Sequence, residues 1–170
     1  MIKIITDSTA DLAENIRNDV HVVPLTVCFG SQEYLDGVTI THKEFYEKLV
    51  ECDTLPTTSQ AVPSSFMRVF DEVLTPEDSD IVITLSSKLS GTYQSAVIAA
   101  AEYPNVYVID SCSVAIGAGI LIEYALQCIT SGMSARQITE ILEKKKNDIC
   151  LIAMLDTLEY LKKGGRISST

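Results

Sequence analysis

Asp80-Ile81-Val82-Ile83-Thr84-Leu85-Ser86-Ser87-Lys88-Leu89-Ser90-Gly91-Thr92-Tyr93-Gln94-Ser95-Ala96-Val97-Ile98-Ala99-Ala100-Ala101 decides the fold. Asp80 to Leu85 is a short, β-branched apolar run bounded by a polar turn, which predicts a buried strand. The alanine-rich segment from Thr92 to Glu102 predicts a helix. Between them lies a turn dense in hydroxyls. A helix start exposes unpaired backbone N–H groups and the positive end of the helix dipole. With several hydroxyls, and a glycine that lets a ligand come close, this turn is suited to a carboxylate or phosphate. Ser90 also fits a simpler role as the helix cap, with Gly91 easing the turn.

Outward from this unit the pattern alternates. Ile2 to Thr6 predicts a strand ending in Asp7-Ser8-Thr9, where Ser8 or Thr9 would cap a short helix. Val20 to Phe29 and Gln32 to Leu35 flank Gly30-Ser31 and predict a hairpin. Asp36-Gly37 is the next turn. Thr41 to Cys52 predicts a helix, with Thr41 and Glu44 spaced as a capping box. Pro56 to Gln60 is expected to be a loop. Pro63 opens a helix through Leu74 that Thr75-Pro76 closes. Val106 to Ile109 predicts a strand ending in Asp110-Ser111, as the first ends in Asp7-Ser8. Helices follow over Val114–Thr130 and Ser134–Lys146, then a buried strand over Ile149–Leu155 and a last helical turn, Leu158–Lys163, stopped by Gly164-Gly165.

Strands alternating with helices predict an α/β fold, a mostly parallel sheet with helices on both faces. Ligands of such sheets bind outside the carboxyl ends of the strands. The loops at Asp7-Ser8, Ser86 to Thr92 and Asp110-Ser111 would share that edge.

Composition narrows the class. At 170 residues the chain fits one domain, and an apolar fraction of 46% supports a real core. Thirteen basic and 23 acidic residues give a net charge of −10, which argues against a nucleic acid or an anionic membrane surface as partner. The five cysteines, Cys28, Cys52, Cys112, Cys128 and Cys150, are odd in number and form no CxxC pair, so free thiols are expected rather than a disulfide scaffold or zinc ribbon. No long apolar leader opens the sequence. Val114 to Gln127 carries Glu123 and is too short to span a bilayer, so stable membrane insertion is not expected. These features predict a cytoplasmic protein.

Several catalytic patterns are missing. The sequence has no G-x-G-x-x-G, no Walker A and no G-x-S-x-G. Its two histidines, His21 and His42, fit a packed strand and a solvated helix start better than a triad. Asp7, Asp36 and Asp110 have the chemistry of a magnesium site, although turn formation and capping account for each. The hydroxyls make a better binding site: Thr57, Thr58 and Ser59 on one segment, Ser90 and Thr92 on another. Hydroxyls donate or accept as needed and carry no charge to desolvate. Two of them plus a helix start suffice for one carboxylate. The rival expectation is a hydrolase or phosphoryl-transfer enzyme using Asp7 or Ser90.

Five segments occur in order: Asp7-Ser8-Thr9-Ala10-Asp11-Leu12, Pro56-Thr57-Thr58-Ser59-Gln60, Leu85 through Ala96, Val108-Ile109-Asp110-Ser111, and Leu158 through Ile167. As an ordered set they resemble the DegV family, bacterial fatty-acid-binding proteins that serve fatty acid kinase. The resemblance implies a DegV-like N-terminal α/β domain over residues 1–160. Residues 161–170 would begin the connection to a second α/β domain absent from this chain. It implies a bound long-chain fatty acid and no catalysis, metal or cofactor of its own. The carboxyl group would be presented to a separate kinase subunit that makes acyl phosphate. Carried over by position, Thr58, Ser59, Ser90, Gly91 and Thr92 would meet the carboxylate. Arg166 would stand at the pocket entrance or domain junction. The glycine-bearing apolar segment Val114–Ile122 is expected either to line a tunnel for the tail or to pack as a core helix.

Overall fold

The computed structural model describes residues 1–52, 54–75 and 77–167. Four strands form a parallel sheet: β1 (Ile2–Asp7), β2 (Val20–Val23), β6 (Ser79–Thr84) and β7 (Val106–Asp110), in the order β2-β1-β6-β7. A small antiparallel sheet holds β3 (Thr26–Phe29), β4 (Gln32–Leu35) and β5 (Thr57–Ser59), in the order β4-β3-β5. The helices are α1 (His42–Glu51), α2 (Pro63–Val73), α3 (Thr92–Ala100), α4 (Ile116–Thr130), α5 (Ala135–Lys145) and α6 (Glu159–Lys163). None of the described helices is long and apolar enough to cross a membrane.

Side-chain alternation along the strands builds two cores. Ile4, Ile81, Ile83 and Ile109 point to one face and pack with Leu121, Ile122, Ile138 and Leu142 of α4 and α5. Ile5, Val23 and Val82 point to the other and pack with Phe66 and Phe70 of α2 and with Ala96 and Ala99 of α3. Central strands buried on both faces are apolar at every position, as the run Ile81-Val82-Ile83 is. Burying each large side chain contributes about 1.5–3 kcal/mol. The α/β class with helices on both faces of a parallel sheet is therefore the observed one.

Local signals set several boundaries. Thr41 and Glu44 form the capping box of α1, and Ser134 and Gln137 form that of α5. Pro63 stands in the first turn of α2. Gly30 turns the β3–β4 hairpin at φ +61. The expected end of α2 falls partly on Pro76, outside the described residues; the helix itself stops at Val73.

Four expectations change. The run Val20–Phe29 is two strands in two sheets. Pro24 lacks an N–H and breaks the ladder, and the Ser8 hydroxyl accepts from Leu25 N at 3.0 Å across the break. Ser8 thus anchors that crossing, and no helix follows it. Thr57–Ser59 is an edge strand, because β3 offers a free side with which it pairs, Thr26 opposite Ser59 and Val27 opposite Thr58. Ile149–Leu155 forms no strand. Ile149 still packs on the core, but Ile152 and Met154 are 86% and 98% exposed. An apolar run becomes a strand only where a sheet edge receives it, and none does so here.

Candidate functional site

The strand order places a reversal point in the sheet. The chain goes from β1 to β2 on one side, then returns to place β6 on the other side of β1. The crevice above the carboxyl ends of β1 and β6 is where α/β sheets of this kind hold ligands.

The two Asp-Ser strand ends build the floor of that edge. Asp7 is buried, and its carboxylate joins β1 to β6: Oδ2 accepts from Leu85 N at 2.7 Å, while Oδ1 accepts from Thr9 N at 3.0 Å and Thr9 Oγ1 at 2.6 Å. Burial pushes its carboxyl above the ordinary range, and the Thr9 and Leu85 hydrogen bonds pull the other way. Asp110 repeats the device one strand over, accepting from Ser87 N at 3.1 Å and Cys112 N at 2.9 Å. Ser86 N donates to Ser113 O at 2.7 Å, and Ser111 N to Thr84 O at 3.1 Å. Asp7 and Asp110 are thus spent on holding loops. Among the described residues no group of three His, Cys, Asp or Glu gathers as a metal site.

The turn before α3 is wound on Ser86, whose carbonyl accepts from Leu89 N and Ser90 N. Ser90 Oγ lies 2.9 Å from Thr92 Oγ1 and accepts from Thr92 N at 3.3 Å. The cap position of α3 is Gly91, which offers no side chain, so Ser90 is not the cap expected from the sequence; its hydroxyl takes the first helical N–H from one residue further out and also lines a cavity. Thr92 is fully buried behind it. The open face of Gly91 is covered by the Gln60 side chain: a Cβ there would come within 2.8 Å of Gln60 Cδ.

That cavity, about 300 Å³, is walled by Thr58, Ser59 and Gln60 from β5 and the residue after it, by Leu85, Leu89 and Ser90 from the turn, and by Leu161 and Arg166 from the C-terminal arm. Thr58, Ser59 and Ser90 are brought to this one cavity, whereas Thr57, Gly91 and the buried Thr92 do not line it. A second cavity of about 780 Å³ adjoins it, sharing Thr58, Leu161 and Arg166. Its walls include Leu49, Leu55, Pro56 and Tyr160, with Lys163 and Arg166 as cations. Arg166 is exposed and donates to Gly164 O at 2.6 Å.

Helix α4 takes the core role over most of its length. Gly117, Ala118, Leu121 and Ile122 are buried in packing, and only Val114, before its start, reaches the smaller cavity. Gly119 is needed because a Cβ would overlap the Asp11 carbonyl oxygen. Sequence reasoning missed Gln60, Asp36 and Leu161 as cavity residues. Gln60 stood in a quoted motif, but its partner, Ser95 at 3.0 Å, is 35 positions away.

A family profile described as "Uncharacterised protein, DegV family" matches residues 1–170. A DegV domain-containing protein of Clostridium perfringens is 39% identical over 171 residues, covering 98% of this chain and 61% of the relative. A solved structure from Thermus thermophilus, described as fatty acid binding of a DegV family protein, is 37% identical with a TM-score of 0.83, covering 96% of this chain and 60% of that one. Another, a fatty acid (stearic acid)-binding protein from Eubacterium ventriosum, is 33% identical with a TM-score of 0.75, covering 84% and 52%. The chain thus spans about three fifths of the length of the curated relative. With its whole length matched by the family profile and its fold shared with solved members, the chain belongs to the DegV family.

Proposed function

We propose that this chain carries the head-group half of a site for a long-chain fatty acid, whose carboxylate it presents to a separate kinase subunit for acyl-phosphate formation. The observation that carries this reading is the pair of neighbouring cavities that share Thr58, Leu161 and Arg166 as walls. The smaller offers the Thr58, Ser59 and Ser90 hydroxyls beside the Arg166 arm; the larger offers mainly apolar walls. Their volumes fall in the range of small-ligand sites. Solved relatives described as binding fatty acid, one of them stearic acid, support the same reading.

The energetics divide between the two ends. Each buried CH₂ contributes about 0.8 kcal/mol, so a long tail supplies on the order of 10 kcal/mol before binding costs. A head-group hydrogen bond adds about 1 kcal/mol, or about 1.5–3 kcal/mol when charged. The tail sets affinity and the hydroxyls set direction. Thr58, Ser59 and Ser90 meet the carboxylate. Thr92 acts through the Ser90 hydroxyl it touches. Gly91 keeps the turn low enough for Gln60 to close over it, and Arg166 stands where the two cavities meet. Residues 1–160 form the body of the lipid-binding unit, Leu161 and Arg166 of the following arm add to its wall, and 161–170 lead toward a second domain that completes it. The setting is the cytoplasm, and no cofactor takes part.

The hydrolytic alternative gains nothing from Asp7, whose oxygens already accept from Leu85 and Thr9, and the Ser90 hydroxyl hydrogen-bonds only with Thr92 and with no general base among the described residues. Mass spectrometry of lipid extracted from the purified full-length protein, followed by titration with oleate, tests the proposal. Co-purified fatty acid and saturable binding are expected. Neither appearing with folded protein would reject it.

A further inference from the structure

The two hydroxyl segments lie on different elements, and no backbone hydrogen bond joins β5 to the turn before α3 among the described residues. One side chain spans them. Gln60 follows β5 directly. Its Nε2 donates to the buried Ser95 Oγ at 3.0 Å, one turn into α3. Its amide lies against Gly91, oxygen end nearest, in space that a Cβ at position 91 would take. Gly91 has an ordinary φ of −75, so the backbone does not require glycine there; what a Cβ would do is displace the Gln60 amide. Gln60 also lines the smaller cavity beside Ser59 and Ser90.

We infer that Gln60 is the positioning residue of the head-group site: by bridging Gly91 and Ser95 it fixes the spacing between the Thr58-Ser59 hydroxyls and the Ser90 hydroxyl. Two hydroxyls act on one carboxylate only when both stand at hydrogen-bond distance from it. An edge strand paired on one side needs such a tie to hold that spacing. The inference takes its binding readout from the fatty-acid reading above, while the tie itself is measurable without any lipid.

The test uses Gln60→Ala, Gly91→Ala, the double variant and Gln60→Glu in the full-length protein. Hydrogen–deuterium exchange is followed over segments 56–61 and 86–93, and binding is compared for oleate and methyl oleate. Gln60 is exposed, so its removal leaves both cores intact. Gln60→Ala and Gly91→Ala should each speed exchange in both segments and lower the preference for oleate over methyl oleate by about 5- to 10-fold, the worth of one hydrogen bond. In the Gln60→Ala background, Gly91→Ala should add nothing, because the side chain it displaces is gone. Gln60→Glu keeps the tie through the Ser95 hydroxyl, so exchange stays slow. Its charge, however, faces the carboxylate, and oleate weakens more than the ester. Unchanged exchange in Gln60→Ala, or additive effects in the double variant, would overturn the inference. If wild type binds no oleate, the fatty-acid reading falls, and the exchange data still decide the tie.

Discussion

Asp80→Asn should stabilise this protein at neutral pH and leave it unchanged in acid. Asp80 is the second residue of the central strand β6, is fully buried, and neither carboxylate oxygen has a hydrogen-bond partner among the described residues. Lys3 lies opposite it on β1, but the ammonium is already engaged by the Val73 carbonyl and by Asp78. Burial therefore pushes the Asp80 carboxyl up to about 6 from 3.8, against a partial opposing pull from Lys3. A folded-state value above the unfolded one means that the native state holds its proton longer. Stability is then full below pH 3.8 and is lost as pH rises through about 6. At about 1.4 kcal/mol per unit, the loss reaches about 3 kcal/mol at pH 8.

Asparagine mimics the protonated carboxyl and does not ionise. Urea unfolding of both proteins between pH 4 and pH 8 checks this. The difference should be near zero at the acid end and grow to about 3 kcal/mol at the other. Asp78 does not blur the comparison. The N-terminal amine beside it, first among its partners, holds its carboxyl at about 2, so its own contribution is lost only on acidification below that window. Asp7 and His21 titrate alike in both proteins and cancel. A pH-independent difference, or none, would refute the reasoning.

Ser90→Ala should weaken oleate about 5- to 10-fold in a titration while methyl oleate binds as before, since only the head group loses a partner. Equal loss for both ligands would place Ser90 on the tail instead. Asp7→Ala leaves Leu85 N without its acceptor and should cost about 1–3 kcal/mol in urea unfolding; an unchanged midpoint would show that the β1–β6 tie is not needed. Gly119→Ala adds helix propensity of about 1 kcal/mol, yet its Cβ meets the Asp11 carbonyl. The clash should win, with a net loss of about 1–3 kcal/mol by thermal or urea unfolding, and a stabilised variant would contradict the packing described.

Much was legible where a local cause operates. The capping boxes at Thr41 and Ser134, Pro63 at a helix start and Gly30 in a hairpin act within four residues, so sequence spacing carries them. The alternation of apolar strands and helices also specifies the class. Where the cause is a distant partner, local reading failed. Thr57–Ser59 became a strand because β3 lay open, and Ile149–Leu155 did not because no edge received it. Both follow from pairing that no window of sequence contains.

The same division runs through the site. Sequence alone determined that hydroxyls would stand at a helix start beyond the end of a buried strand, because burial pattern and capping chemistry are short-ranged. Only the tertiary structure decided that Ser59 and Ser90 share a cavity, that Gln60 rests on Gly91, and that Asp7 is spent on Leu85. Those juxtapositions come from strand order across the sheet. The packing of two cores fixes that order, and residues tens of positions apart acquire a common neighbour only once it is set.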